Sequence, residues 1–386
     1  MGYVSARGGL DAIHAAERLV RRLRLTSDSN WLEETQILDK LRLLVDRVMS
    51  EAGLWDPRLA AAAVRQSEGD VTEAVHLLRA YRSTLPRFAY CETVDADAVR
   101  VRRRIVPAFQ RVPGDQLLGR SVDYTARFLE RTPDDEAREE AEKLRAQGNV
   151  GESTDENLGA SNDGQTPGES SDVRSPRRLM ELLREMDMLV DRRVDGDPEP
   201  FDITRSPARP PAPRSALLSS MSRADTGALV NQWYRNILGP DGYLHEVTLG
   251  EVRHGLLSVD VAHPVTGESV SVADVRVTEV EAIEDLDDIE EDRTRFDVGY
   301  GLCFGHNERK AIAMANLDIA CHRDAGRTQL EQSLLLTTDA LDSAGFLEHL
   351  KLPHYVTFRS MIERKLAVRK ASKTNDVREA EHTDDD

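Results

Sequence analysis

Residues 244–282 read LHEVTLGEVRHGLLSVDVAHPVTGESVSVADVRVTEVEA. Apolar and polar residues alternate at period two in LHEVTLGEV (244–252), LLSVDVAH (256–263) and ESVSVADVRVTEV (268–280). That period lets a strand bury one face and leave the other to solvent. PVTGE at 264–268 is turn chemistry between the last two runs. A small antiparallel sheet is predicted here. The chain on either side mostly keeps helical period. An Ala/Leu-rich run covers Leu10–Leu25. Glu33–Glu51 carries Ile37, Leu41, Leu44, Val45 and Val48 on one face and stops at Gly53. Asp56-Pro57 opens a further helix as N-cap and first-turn proline, closed by Gly69, and Asp70–Ser83 gives another. VRVRRRIV at 99–106 has the alternation of a strand. Asp123–Arg131, 177–194, Thr226–Leu238, Asn307–Cys321, Gln329–Ser343 and Phe358–Ser372 read as helices. Helices, then a sheet, then helices make an α+β fold, predominantly helical, with the sheet around 244–282.

Composition divides the chain. Residues 1–131 are a mostly helical N-terminal domain, and 132–175 an acidic linker too poor in large apolar residues to offset its ordering entropy. Residues 176–374 are a C-terminal α+β domain, and 375–386 an acidic tail. The net charge of the 386 residues is −18. Residues 132–172 carry −9, 279–292 another −9 and 375–386 −5, which leaves +5 on all the rest. The body is therefore mildly basic, but no Lys/Arg run exceeds three residues, which excludes a nucleic-acid binder built on one dominant basic field. The longest apolar run, Leu59–Val64, is far short of the roughly 20 residues of a bilayer span. No signal-peptide core follows Met1, so a cytoplasmic location is expected. Three dispersed cysteines (Cys91, Cys303 and Cys321) and no CxxC exclude a disulfide framework or a self-contained iron–sulfur site.

Three features have the composition of a site. VGYGLCFG at 298–305 runs into a helix with Arg309 and Lys310 in its first turn. Gly299, Gly301 and Gly305 would let backbone approach an anion, and the helix N-terminus would attract it; the same letters also fit a strand and tight turn packed on a helix. His349 and His354 flank Pro353, whose break would let both imidazoles converge on one ion; a plain surface turn reads the same. Arg79, Arg82, Arg120, Arg127 and Arg205 are fork-shaped donors suited to phosphate or phosphonate oxygens, or else solvated helix faces. Asp123 and Asp202 are candidate acids, bases or ribose-hydroxyl partners, or helix caps.

Taken in order, LLVDRVMSEAG (43–53), LLRAYRSTL (77–85), QLLGRSVDYTARFLE (116–130), DITRSP (202–207), GYGLCFGHNERKAIAMA (299–315) and GFLEHLKLPHYVTF (345–358) make the chain resemble the PhnI family, subunit I of the carbon–phosphorus lyase core complex. Val298 and Thr357 stand where the family commonly has an arginine and an acid. The resemblance implies bacterial phosphonate metabolism. It implies that adenine is displaced from MgATP by methylphosphonate, giving α-D-ribose 1-methylphosphonate 5-triphosphate. The subunit alone would act as a purine nucleosidase, with water as nucleophile. It implies assembly with three other core subunits in a hetero-octamer, including the radical subunit that cleaves the C–P bond. It further implies a zinc ion at that interface, held by His349 and His354 with help from the partner. Arg79, Arg82, Arg127, Arg205, Gly299, Gly301, Gly305, Arg309 and Lys310 are then expected to hold substrate phosphates, and Asp123 and Asp202 to serve catalysis. A non-catalytic scaffold supplying half of a shared metal site, and a self-contained metal hydrolase, are the other classes weighed. Membranes and nucleic acids are not expected partners.

Overall fold

The computed structural model describes residues 9–26, 28–107, 116–123, 125–147, 177–190, 199–238, 248–285, 294–323, 328–351 and 355–383. In chain order the helices are α1 (Gly9–Leu25), α2 (Glu34–Lys40), α3 (Arg42–Ala52), α4 (Pro57–Gln66), α5 (Val71–Ser83), α6 (Asp134–Ala146) and α7 (Leu179–Glu185). They continue as α8 (Arg214–Arg223), α9 (Thr226–Leu238), α10 (Glu308–Arg323), α11 (Thr328–Thr337), α12 (Ala340–Glu348) and α13 (Tyr355–Thr383). Four strands, β1 (Arg100–Ile105), β2 (Thr248–Ala262), β3 (Ser269–Asp285) and β4 (Phe296–Phe304), form one antiparallel sheet in that order. The α+β class expected from the sequence is the one observed. Two compact units result, 32–342 and a smaller one of 1–31 with 343–386. These cut the chain elsewhere than its composition does. Among the described residues no helix is long and apolar enough to cross a membrane.

In the larger unit α2–α5 form a helical layer around Ile37, Val48, Met49, Ala60, Ala74 and Leu78. Local chemistry fixes its ends. Asp56 Oδ1 accepts from Leu59 N at 3.0 Å and Pro57 follows, as the sequence led us to expect; Gly53 closes α3 at φ +62°. A second core lies between one sheet face and α8–α11, where Val252, Val280 and Ala282 meet Met314, Leu317 and Ile319. In the smaller unit α1 buries none of its residues, and Leu10, Leu19 and Leu23 are exposed, as are Phe358 and Leu366 of α13.

Several expectations are corrected. The runs at 244–252 and 256–263 are one strand from Thr248, because Gly255 continues it: a Cβ there would stand 2.3 Å from Arg100 O of β1, so glycine is what lets β1 approach. Of the two readings of the glycine-rich stretch the strand and tight turn holds: it is β4. Cβ atoms on Gly299 and Gly301 would lie 1.9 and 2.2 Å from the carbonyls of Ala315 and Ala311, so these glycines seat α10 on the sheet. The acidic run Glu281–Asp292, whose charge predicts a loop leaving the sheet, begins inside β3, where Glu281 and Glu284 are buried. Residues 125–131 are not helical, and Arg127 sits at φ +54°. The helix over 177–194 shortens to α7, and α6 lies within the stretch expected to be disordered.

The other sheet face is ionic. Arg104 Nε donates to Glu251 at 2.8 Å, Arg253 Nε to Glu279 at 2.9 Å, and Tyr300 Oη to Glu279 at 3.0 Å. Arg178, just before α7, pairs with Glu281 at 2.8 Å and Glu279 at 3.2 Å. Such buried pairs fix geometry more surely than they add stability.

Candidate functional site

Helix α3 organises the polar centre of the larger unit. Its apolar residues Val45, Val48, Met49 and Ala52 enter the helical layer. Arg42, Asp46 and Ser50 recur at intervals of four and so share another face. Asp46 and Ser50 are buried, and each belongs to a different polar cluster.

At Asp46 the carboxylate accepts from Arg276 at 2.8 Å and from the backbone N of His306 at 2.9 Å, and Arg42 lies 3.7 Å away. Gly305, at φ +72°, permits this approach, since a Cβ would lie 2.5 Å from Asp46 Cβ. The rings of His306 and His254 stack at 4.4 Å. Burial, then repulsion by His306, lowers His254 to about 3, so it is neutral. Glu308 receives Arg103 Nε at 2.5 Å. Burial would raise it, but hydrogen bonds from His306 and Arg103 outweigh that and bring it to about 2. Arg103 also donates to Asp123 at 2.7 Å, and Arg127 joins Asp123 at 3.1 Å. A cleft of about 320 Å³ opens here, lined by Leu38, Asp39, Arg42, Val45, Pro57, Arg120 and Arg276.

The second cluster surrounds a pocket of about 350 Å³ lined by Ser50, Gly53, Arg82, Ile203, Thr204, Leu218, Ser219, Ser222, Arg223, Tyr300, Leu302, Phe304 and Met314. Apolar and aromatic surface alternates with hydroxyls and two guanidiniums, the mixture of a small-molecule site. Among the described residues Arg82 donates to the carbonyls of Gly53 (2.9 Å) and Ala52 (3.5 Å) alone. Arg223 pairs, among the described residues, with Asp339 at 3.7 Å, a carboxylate already held by Arg79 at 2.7 and 2.9 Å. Both guanidiniums are driven down from their ordinary value by burial and then by Arg79. Beside the pocket Asp202 accepts from Thr204 and from Arg87, at 2.6 Å, which hold it near 2, and Arg205 lies 3.7 Å from it. Five arginines (79, 82, 87, 205 and 223) thus face three carboxylates (Asp202, Asp339 and Asp342), a local excess of positive charge.

The candidate residues therefore separate. Arg120 lines the Asp46 cleft, and Asp123 and Arg127 join its polar cluster through Arg103 and Glu308. Arg82 lines the Ser50 pocket, Asp202 and Arg205 flank it, and Arg79 supports it from behind by also donating to Glu51 O at 2.6 Å. Gly299, Gly301 and Gly305 pack against helices. Arg309 is exposed on α10, whereas Lys310 is fully buried and reaches Ser50 Oγ at 3.0 Å. His349 begins a short 3₁₀ turn, and His354 lies outside the described residues. Among the described residues no group of three or more His, Cys, Asp or Glu could hold a metal, so zinc finds no test here. Sequence reading passed over Asp46, Ser50, Arg223, His306 and Glu308. The four-residue spacing of Arg42, Asp46 and Ser50 within an apolar helix was the available signal.

A polar, cation-rich pocket on an α+β scaffold has the chemistry of a small-anion site. Residues 2–372 match the bacterial phosphonate metabolism protein family PhnI, and the chain belongs to it. It is 41% identical over 374 residues to a putative C-P lyase subunit protein, HtxH, of Stutzerimonas stutzeri, covering 94% of this chain and 95% of that one. It is 37% identical over 368 residues to the alpha-D-ribose 1-methylphosphonate 5-triphosphate synthase subunit PhnI of Escherichia coli K12, covering 94% and 96%. With the subunit of the same name from Rhizobium meliloti it shares 35% over 385 residues, covering 98% and 97%.

Proposed function

We propose that this chain, assembled in a cytoplasmic C–P lyase complex, displaces adenine from MgATP by methylphosphonate. The C1–N9 bond breaks and adenine leaves with the electron pair and takes up a proton. A phosphonate oxygen bonds to ribose C1, giving α-D-ribose 1-methylphosphonate 5-triphosphate. Without its partners the same site would use water, as a purine nucleosidase. The observation that carries this reading is the cation excess at the Ser50 pocket: Arg82 makes no ion pair among the described residues, Arg223 shares Asp339 with Arg79, and a triphosphate supplies anionic oxygens to both. Tyr300 and Phe304 offer aromatic surface for a base. Asp202, ionised at neutral pH, is suited to stabilising positive charge developing on the ribose ring rather than to giving a proton. Asp123, tied to Arg103 and Arg127, belongs to the other polar cluster.

Adenine release from MgATP and methylphosphonate by the assembled complex tests this. Arg82→Ala should weaken use of MgATP, and Asp202→Asn should slow release about 100-fold, the scale of a lost electrostatic stabiliser. Unchanged release in both Asp202→Asn and Asp123→Asn would remove both carboxylates from the mechanism. A pure scaffold would free no base from purine nucleosides as an isolated chain. The exposed apolar residues of α1 and α13 favour assembly with other subunits. His349 and His354 would share a zinc with the radical subunit; complexes carrying His349→Ala or His354→Ala should lose zinc on metal analysis, and full retention in both refutes the assignment.

A further inference from the structure

Lys310 has no exposed surface, and its Nζ donates to Ser50 Oγ at 3.0 Å. Among the described residues that neutral hydroxyl is its hydrogen-bond partner, and no carboxylate comes within 4.0 Å. An ammonium buried without a counter-ion is costly, and proteins keep one only where something compensates it. The groups around it do so only in part, since Glu51 and Asp225 favour its charge but each is already engaged by Arg47. From α3, Asp46 is held by Arg276, and Glu51 accepts from Arg47 and from Thr226. Asp225, before α9, is held by Arg47, and Arg79 of α5 is itself cationic. Cys303 of β4 is a neutral thiol, pushed up by burial to about 11. Yet Ser50, the residue Lys310 touches, lines the arginine pocket.

We propose that Lys310 is the buried counter-cation of the anion in this pocket and acts through Ser50, so that anion binding and protonation of Lys310 are linked. The inference rests on the reading of the pocket as a nucleotide triphosphate site. Charged Lys310 donates to Ser50 Oγ, which leaves the serine O–H, now directed at the Ser222 carbonyl at 3.4 Å, able to turn and donate to a phosphate oxygen. Neutral Lys310 would instead accept the Ser50 proton, turning oxygen lone pairs toward the anion. Lys310 is thus a positioning residue that does not itself touch the ligand. Burial lowers it to about 8 in the free protein. A bound polyanion raises it again, and the protein takes up a proton on binding.

Isothermal calorimetry of MgATP binding to the full-length chain, in buffers of different ionisation enthalpy, tests this. The wild type should take up a fraction of a proton near pH 8, and affinity should fall about tenfold from about pH 7 to about pH 9, one unit either side of that value. Lys310→Met should bind more weakly and lose both the uptake and the pH dependence; Ser50→Ala, a milder change, should weaken binding and reduce the uptake. Binding that Arg82→Ala abolishes, but that shows no proton uptake and no pH dependence in the wild type, overturns the Lys310 inference and leaves the pocket reading standing. No MgATP binding, or binding indifferent to Arg82→Ala, overturns both. The uptake is read on the unmodified protein, so failure of a variant to fold does not shelter the inference.

Discussion

Glu281 shows how far a residue's behaviour departs from its letter. It stands in one of the acidic stretches, yet it is buried on the ionic sheet face. Burial raises it, Arg178 lowers it and Glu279 raises it again, to about 7. A carboxylate raised on folding holds its proton in the native state while the unfolded chain has already lost it. Stability therefore falls as pH rises from the ordinary 4.5 to about 7 and is level above that. Thermal melts across this window should show the decline, and Glu281→Gln should remove it. Asp202 and Glu308, both held near 2, act in the opposite sense in a separate window, losing stability below their ordinary values. The sequence marked Asp202, Arg82 and Lys310 as polar residues in specific-looking segments. It did not show that Lys310 points inward to Ser50, because a first-turn position leaves the direction of a side chain to tertiary packing.

At the scale of elements, the two glycines of GYG seat a helix on a strand. Gly301→Ala would push a methyl group into the Ala311 carbonyl, a backbone atom that cannot swing aside. Thermal or denaturant unfolding should show a loss of about 3 kcal/mol or more, the upper end of overpacking. Asp56→Ala removes the cap of α4 and should cost about 1 kcal/mol by the same measurement. The cap was legible because Asp-Pro specifies its own geometry within a few residues. β1 was legible from the alternation in VRVRRRIV. β4 was legible only as one of two readings, because its glycines answer to α10, which follows it in the chain. Residues 125–131 departed from helix because Arg127, at φ +54°, reaches back to an Asp123 already claimed by Arg103.

At the scale of the whole molecule, the charge of −18 divides into two kinds. Some of it is structural: Glu279, Glu281 and Glu284 are buried in β3, with Arg253 and Arg178 against the first two. The acids of α6 belong to a helix that buries none of its residues. Removing 132–172 should therefore leave assembly and adenine release intact, and co-purification of the shortened chain with its partners, followed by the release assay, checks it.

By itself the sequence determined the α+β class, most helix positions, the strand alternation and, through co-linear segments, the family. These are set by short-range periodicity, capping chemistry and motif order, which survive in one dimension. Only the tertiary structure decided which polar residues meet. Ser50, Arg82, Thr204, Arg223 and Tyr300 come from five separate stretches of chain, and their convergence on one pocket follows from α3 packing between the helical layer and the sheet. The balance of charge there is a sum over neighbours in space, and no reading along the chain can form it.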